Sequence, residues 1–195
     1  MEKLVFDRKQ YGFGMAGLGP IVRGYSIVAS PHHAQSLAEI SATDLIGYLA
    51  YATEIRENLT AYYGNCLLTE HGNTPLCQVD DAKSIHCFHP HFLLFPNAPD
   101  IVPAAIDYFG SCKRFTNLTE AINATQDAEQ YILISPNKTD YYLFLPTSGF
   151  PRQFIRMLVA EAIGKPHLAS WRDHPNLDEA VTNSDQNRLI LSKNA

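Results

Sequence analysis

The clearest periodicity in the chain lies in "SATDLIGYLAYATEIRENLTAYYG", where Leu45, Leu49, Ala52, Ile55, Leu59 and Tyr62 recur three and four residues apart. That spacing predicts a helix with one apolar face. Ser41 supplies the N-cap, Asp44 three residues on is a capping-box-like partner, and Gly64 provides the stop. Shorter apolar runs predict strands. "GYSIVAS" (24–30) is β-branched and ends at Pro31, "CLLTEHG" (66–72) leaves the helix, and "YILISPNKTDYYLFLP" reads as a hairpin around a Pro-Asn-Lys-Thr-Asp turn. Two shorter helical patterns follow in "DIVPAAIDYFG" and "LTEAINATQ". In "PRQFIRMLVAEAIG" a further helix starts at Pro151, carries Phe154, Leu158 and Ile163 near one face, and stops at Gly164. From residue 173 the chain becomes a polar tail with room for one last helix. With no internal repeat, low-complexity tract or clear linker, residues 1–195 read as a single α+β domain.

Composition narrows the functional classes. A hydrophobic fraction of 46% and a charged fraction of 18% suit a globular chain with a substantial core. The net charge of −5 and pI of 5.9 exclude binding to a nucleic-acid polymer by bulk attraction, although one phosphate needs only a few donors. The N-terminus "MEKLVFDRKQYGFG" has no apolar signal-like core and no run reaches membrane-spanning length, so the expectation is a cytoplasmic protein without a membrane partner. In that compartment Cys66, Cys77, Cys87 and Cys112, with no Cys-x-x-Cys pair among them, read as free thiols. The Asn-x-Ser/Thr sequons at Asn58, Asn117, Asn123 and Asn137 carry no meaning there.

Candidate chemistry concentrates in "KSIHCFHPHFLLFP" (83–96), which packs His86, His89 and His91 ahead of an apolar run. On a strand, Cys87, His89, His91, Leu93 and Phe95 share one face, and Phe88, Pro90, Phe92 and Leu94 share the other. Imidazoles side by side are costly to bury unpartnered, which favours a surface or a water-lined cleft. Pro90 has no N–H, which predicts an edge strand or a bulge at that point. Three readings stand at this level. The histidines are solvated residues of an ordinary strand. Alternatively they bind a metal, with His71, His33 or Cys87 completing the ligand set. Or they perform phosphoryl chemistry, one imidazole as nucleophile and its neighbour orienting or activating it.

"HPHFLLFP" resembles the signature of the histidine triad (HIT) superfamily, His-φ-His-φ-His-φ-φ followed by Pro. Aligned on Pro96, the three slots hold His89, His91 and Leu93; a second alignment puts Cys87, His89 and His91 there but misplaces Pro96. "LLTEHG" is similar to the Glu-His-Gly version of bacterial members. "GPIVRGYSIVASPHHAQSLAEI" is similar to the upstream family segment, with Tyr25 in place of the usual His after Gly24. "PRQFIRMLVAEAIGKPHLASWR" is similar to the C-terminal helix and Trp-Arg ending, so the resemblance covers about residues 19–172. It implies a nucleotide-binding α+β fold with an antiparallel sheet, often a homodimer, acting without metal or cofactor on a nucleotide or dinucleotide. His91 would attack the α-phosphate to form a nucleotidyl-histidine, and His89 would hold the site by hydrogen bonding. Leu93 departs from the family, because the third histidine usually assists the leaving group and leucine exchanges no proton. The alternatives are therefore a catalytically weakened nucleotide-binding module, or a metal-binding protein using His89 and His91. Beyond the two histidines, Glu70 or His71 is expected to reach the ribose or an imidazole. Lys83 and Ser84 are expected to donate to phosphate oxygens, and Arg152 and Gln153 to present donors at a helix start that favours an anion. Arg156 and Trp171 read as packing residues.

Overall fold

In the computed structural model, which describes residues 2–73 and 89–193, the capping pair starts the longest helix. Ser41 Oγ accepts from the Asp44 amide at 3.3 Å and donates to Asp44 Oδ2 at 2.7 Å, satisfying one amide that the first turn leaves unpaired. Helix α1 (Ala42–Tyr63) then runs to Gly64, whose φ of 100° ends it. Leu45, Leu49, Ala52, Ile55 and Leu59 are buried as expected, whereas Tyr62 is 53% exposed and Tyr63 packs inward instead. The reason is angular. Tyr63 follows Leu45 by five turns of 3.6 residues and returns to its side, while Tyr62 points about 100° away.

The strands are β1 (Val5–Lys9), β2 (Gly12–Ala16), β3 (Ser26–Ala29), β4 (Cys66–Gly72), β5 (His91–Pro96), β6 (Lys113–Phe115), β7 (Tyr131–Ser135) and β8 (Tyr141–Phe144). They form one antiparallel sheet in the order β1-β2-β3-β5-β4-β7-β8-β6. The predicted strands at 24–30, 66–72 and 131–146 are present, the last as a hairpin. The β1–β2 hairpin and β6 are additions to the sequence reading. Strand β5 lies between β3 and β4, so the edge placement expected from Pro90 is corrected. Pro90 precedes the first residue of the strand, and its carbonyl still accepts from the Ser30 amide at 2.9 Å. The prolines at positions 90 and 96 bracket the strand and take nothing from its middle. Residues 74–88, with Lys83, Ser84, His86 and Cys87, lie outside the described residues.

Helices cover both faces. On one, α1 and α3 (Leu118–Asn123) pack with Leu68, Phe92, Leu94, Tyr131 and Leu133. On the other, α2 (Val102–Phe109) and α4 (Phe154–Ala162) pack with Leu67, Leu93, Phe95 and Ile132. Each fully buried Phe or Leu of this kind contributes roughly 2–3 kcal/mol relative to exposure. Helix α4 begins at Phe154 rather than Pro151, because Gln153 has a left-handed φ of 60°. The polar tail carries the last helix for which it has room, α5 (Leu177–Ser192), docked on α1, β1 and β2. Its Asn187 Nδ2 donates to Ser26 Oγ at 2.9 Å, and Asn183 Oδ1 accepts from the Gly24 amide at 3.2 Å. Cys66 is a buried free thiol, its pKa pushed up to about 12 by burial, and Cys112 is free and half-buried. Among the described residues, no helix is long and apolar enough to cross a membrane.

Candidate active site

Strand alternation sorts the residues of β5. Phe92 and Leu94 enter the α1-side core, and His91, Leu93 and Phe95 face α4. Register brings partners from both neighbouring strands: Ala29 opposes His91, Ile27 opposes Leu93, and Thr69 opposes Leu93 from the other side. Two residues beyond Thr69 on the same face is His71. Its ring lies 5.8 Å from that of His91, centroid to centroid, and nearly perpendicular to it.

These two imidazoles open into a cleft of about 460 Å³ between the sheet, the start of α4 and the Trp171–Arg172 segment. Its apolar wall includes Ile27, Leu93, Phe150 and Phe154, with Tyr25 and Trp171 adding aromatic rings. Arg152, Arg156 and Arg172 also line it, and among the described residues no aspartate or glutamate does. Within a chain of net charge −5, this is a local surplus of positive charge around two histidines. Such a pocket favours a ligand with a flat apolar body and an anionic group.

His91 Nδ1 lies 2.9 Å from the His89 carbonyl oxygen. A carbonyl only accepts, so Nδ1 carries the proton and Nε2 keeps its lone pair. Burial lowers the His91 pKa, the carbonyl bond opposes this, and the His89 ring lowers it again. His71 is driven further, to about 4, by burial first and by the His91 ring next. Both rings are therefore neutral at pH 7 in the free protein.

The His89 side chain takes a different direction. Its Nδ1 donates to the Ser30 carbonyl at 2.9 Å, and its ring packs 4.3 Å from that of His33, away from the residues lining the cleft. Its contact with His91 is made by its backbone carbonyl. The extra ligands considered for a metal thus divide, His33 beside His89 and His71 beside His91. Among the described residues, no three His, Cys, Asp or Glu side chains converge to hold an ion.

Glu70 does not reach the cleft. As the residue before His71 it faces the opposite core, 1% exposed, beside Tyr48 and Tyr131. Burial pushes its pKa up to about 8; the Tyr131 hydroxyl opposes this but stops short of hydrogen-bond geometry. The expected contact of Glu70 with a ribose or imidazole is therefore corrected, and only His71 of the pair faces the site. Arg152 and Gln153 both line the cleft. Gln153 Oε1 accepts from the Trp171 amide at 3.1 Å, which braces the cleft rim. Lys83 and Ser84 lie outside the described residues.

Arg156, read from sequence as packing, has a larger part. It is 4% exposed, with Nε on the Ala169 carbonyl at 2.9 Å and Nη2 on the carbonyls of Gly19 at 2.7 Å and Leu168 at 2.9 Å. Its guanidinium also lies 5.2 Å from the Tyr25 ring centroid. Among the described residues its hydrogen-bond acceptors are all neutral carbonyls, so its charge is felt in the cleft undiminished by a carboxylate. Gly19 makes this closure possible. Its φ is 58°, and an added Cβ would lie 2.7 Å from the His174 oxygen and 2.8 Å from the Trp171 Cα. The signal available in sequence was the Trp-Arg pair itself, a large aromatic beside a cation; the register of residues 18–19 against 168–175 carried none.

No protein-family model matches this chain, and no curated protein matches it.

Proposed function

We propose that the chain is a histidine-triad-like nucleotide hydrolase or nucleotidyltransferase acting through a nucleotidyl-His91 intermediate. The observation that carries the reading is the state of His91: a neutral imidazole with its tautomer fixed by a backbone carbonyl, in a cleft whose described lining has three guanidinium groups and no carboxylate. Nε2 attacks the α-phosphorus, and Nδ1–H shares the developing positive charge with the His89 carbonyl. The guanidinium groups stabilise the charge on the phosphoryl oxygens, and the aromatic wall receives the base. Water or another acceptor then discharges the phosphoramidate. The substrate is a nucleotide or dinucleotide, the protein is cytoplasmic and homodimeric, and no metal or cofactor takes part.

Leu93 supports a second reading, a nucleotide-binding module that has lost turnover, because it places an apolar side chain beside the nucleophile. One experiment separates them. Dinucleoside polyphosphates, nucleotide sugars and nucleoside phosphoramidates are each incubated with the protein, quenched without acid, and digested for mass spectrometry. The hydrolase reading expects a nucleotidyl adduct on His91 with at least one of these. Binding with neither adduct nor turnover would leave the module.

A further inference from the structure

Resting on that reading, we infer that His71 replaces the missing third histidine, delivering the proton to the leaving oxygen and later taking one from the attacking water. The family pattern places all three imidazoles on one strand. Here the third slot, Leu93, is paired with Thr69 of β4, and the pleat of β4 brings up the next residue on that face, His71, beside His91. With ring centroids 5.8 Å apart, a phosphoryl group attacked by one ring lies within about 3 Å hydrogen-bond reach of the other. The imidazole lost from β5 is regained from its neighbour.

The surroundings of His71 define when it carries a proton. His91 faces it from β5, Ile132 opposes it on β7, and Glu70 of its own strand lies on the other face. Among the described residues, the charged groups lining the shared cleft are Arg152, Arg156 and Arg172. Burial and the neighbouring His91 ring keep the His71 ring neutral in the free protein. A bound phosphate brings negative charge into the cleft, so the proton arrives with the substrate.

The balance is complete. His91 Nε2 forms the N–P bond as the P–O bond to the leaving group breaks, and its electron pair stays on the leaving oxygen. His71 gives that oxygen its proton and becomes neutral. Water then attacks phosphorus, His71 accepts the water proton, and the N–P bond pair returns to His91.

Two measurements test this. Calorimetric titration with AMP at pH 7, in buffers of different ionisation enthalpy, should show uptake of about half a proton or more per site, lost in His71→Gln. Single-turnover kinetics should compare an adenosine phosphoramidate, whose amine must leave protonated, with a p-nitrophenyl adenylate ester, whose phenolate leaves unaided. His71→Gln is expected to slow the first by about 10²–10⁴-fold and the second by less than about 10-fold. Adding Leu93→His to His71→Gln should recover at least about 10-fold on the phosphoramidate alone. His71→Asn repeats the comparison should the glutamine variant fail to fold. Equal slowing of both substrates, no slowing of either, or no proton uptake would each overturn the role of His71 while leaving nucleotidyl-His91 detectable. A wild type inert on every substrate, with no adduct, would overturn the parent reading and this one with it.

Discussion

Glu70 and His71 are adjacent in the chain and belong to different worlds. Glu70 enters a sealed core between tyrosines, and His71 enters a cleft among arginines. Burial treats them symmetrically: the carboxyl rises to about 8 and the imidazole falls to about 4, so both are neutral near pH 7. What differs is access. A ligand entering the cleft recharges His71, whereas only pH or unfolding recharges Glu70. A perturbed titratable group thus marks function only where something can arrive to perturb it back.

The largest effect that would sharpen this contrast is on turnover. His91→Ala should lower single-turnover rates on the order of 10⁴-fold or more, while AMP affinity stays within a few-fold. Retained turnover would strip the cleft side of its chemistry. Next is stability against pH. Between about 4.5 and 8 folded Glu70 holds a proton that the unfolded chain has lost, so stability falls as pH rises through that window. Between about 4 and 6.5 the unfolded chain binds a proton that folded His71 does not, so stability falls as pH drops. The two contributions oppose each other between about 4.5 and 6.5, and urea denaturation of the wild type should show a plateau there. Glu70→Gln should remove the alkaline limb, on the order of 4 kcal/mol between pH 4.5 and 9, and His71→Gln the acid one. If neither variant flattens its own limb, the symmetry is wrong.

A smaller effect belongs to Arg156. Its removal by Arg156→Met leaves the Gly19, Leu168 and Ala169 carbonyls without their donor, costing about 3 kcal/mol in urea denaturation and weakening AMP binding. Unchanged AMP affinity in a folded Arg156→Met protein would confine it to packing. The smallest effect is at Tyr62, on the outer side of α1. Tyr62→Ser should change the stability read by urea denaturation by no more than about 0.5 kcal/mol, because Tyr62 belongs to neither core.

Legibility followed the local pattern. Helix α1 and the β7–β8 hairpin repeat their apolar residues over enough positions for period to decide them, and caps and turn residues agree. The alternation of His91, Leu93 and Phe95 against Phe92 and Leu94 was readable for the same reason. The β1–β2 hairpin was hidden because Gly12 and Gly14 leave β2 without inward side chains there, and Tyr51 of α1 and Phe6 of β1 fill the space. Helix α5 was only faintly marked because the residues it buries include Asn183, Ser184 and Asn187, of which Asn183 and Asn187 bond polar groups around Gly24 and Ser26. In the site, His91 was visible as part of a short motif. The separation of Glu70 from His71 was not, since it depends on which face of β4 meets β5. Arg156 was obscure because its acceptors come from backbone at two distant places in the chain.

The joining of residues 18–19 to residues 168–175 has a consequence for how the protein comes into being. A chain emerging from the ribosome has every described strand of the sheet by residue 144, yet the cleft then has only its floor. Its arginines arrive with residues 152–172, and α5, which fastens Gly24 and Ser26, arrives last of all. On the proposed function, a chain cut before residue 152 could pair β3, β5 and β4 yet would hold no nucleotide, because His91 is made some sixty residues before the charge that would draw a phosphate to it. On that same proposal, the order of translation would leave His91 without its phosphate-binding charge until residue 172 is made.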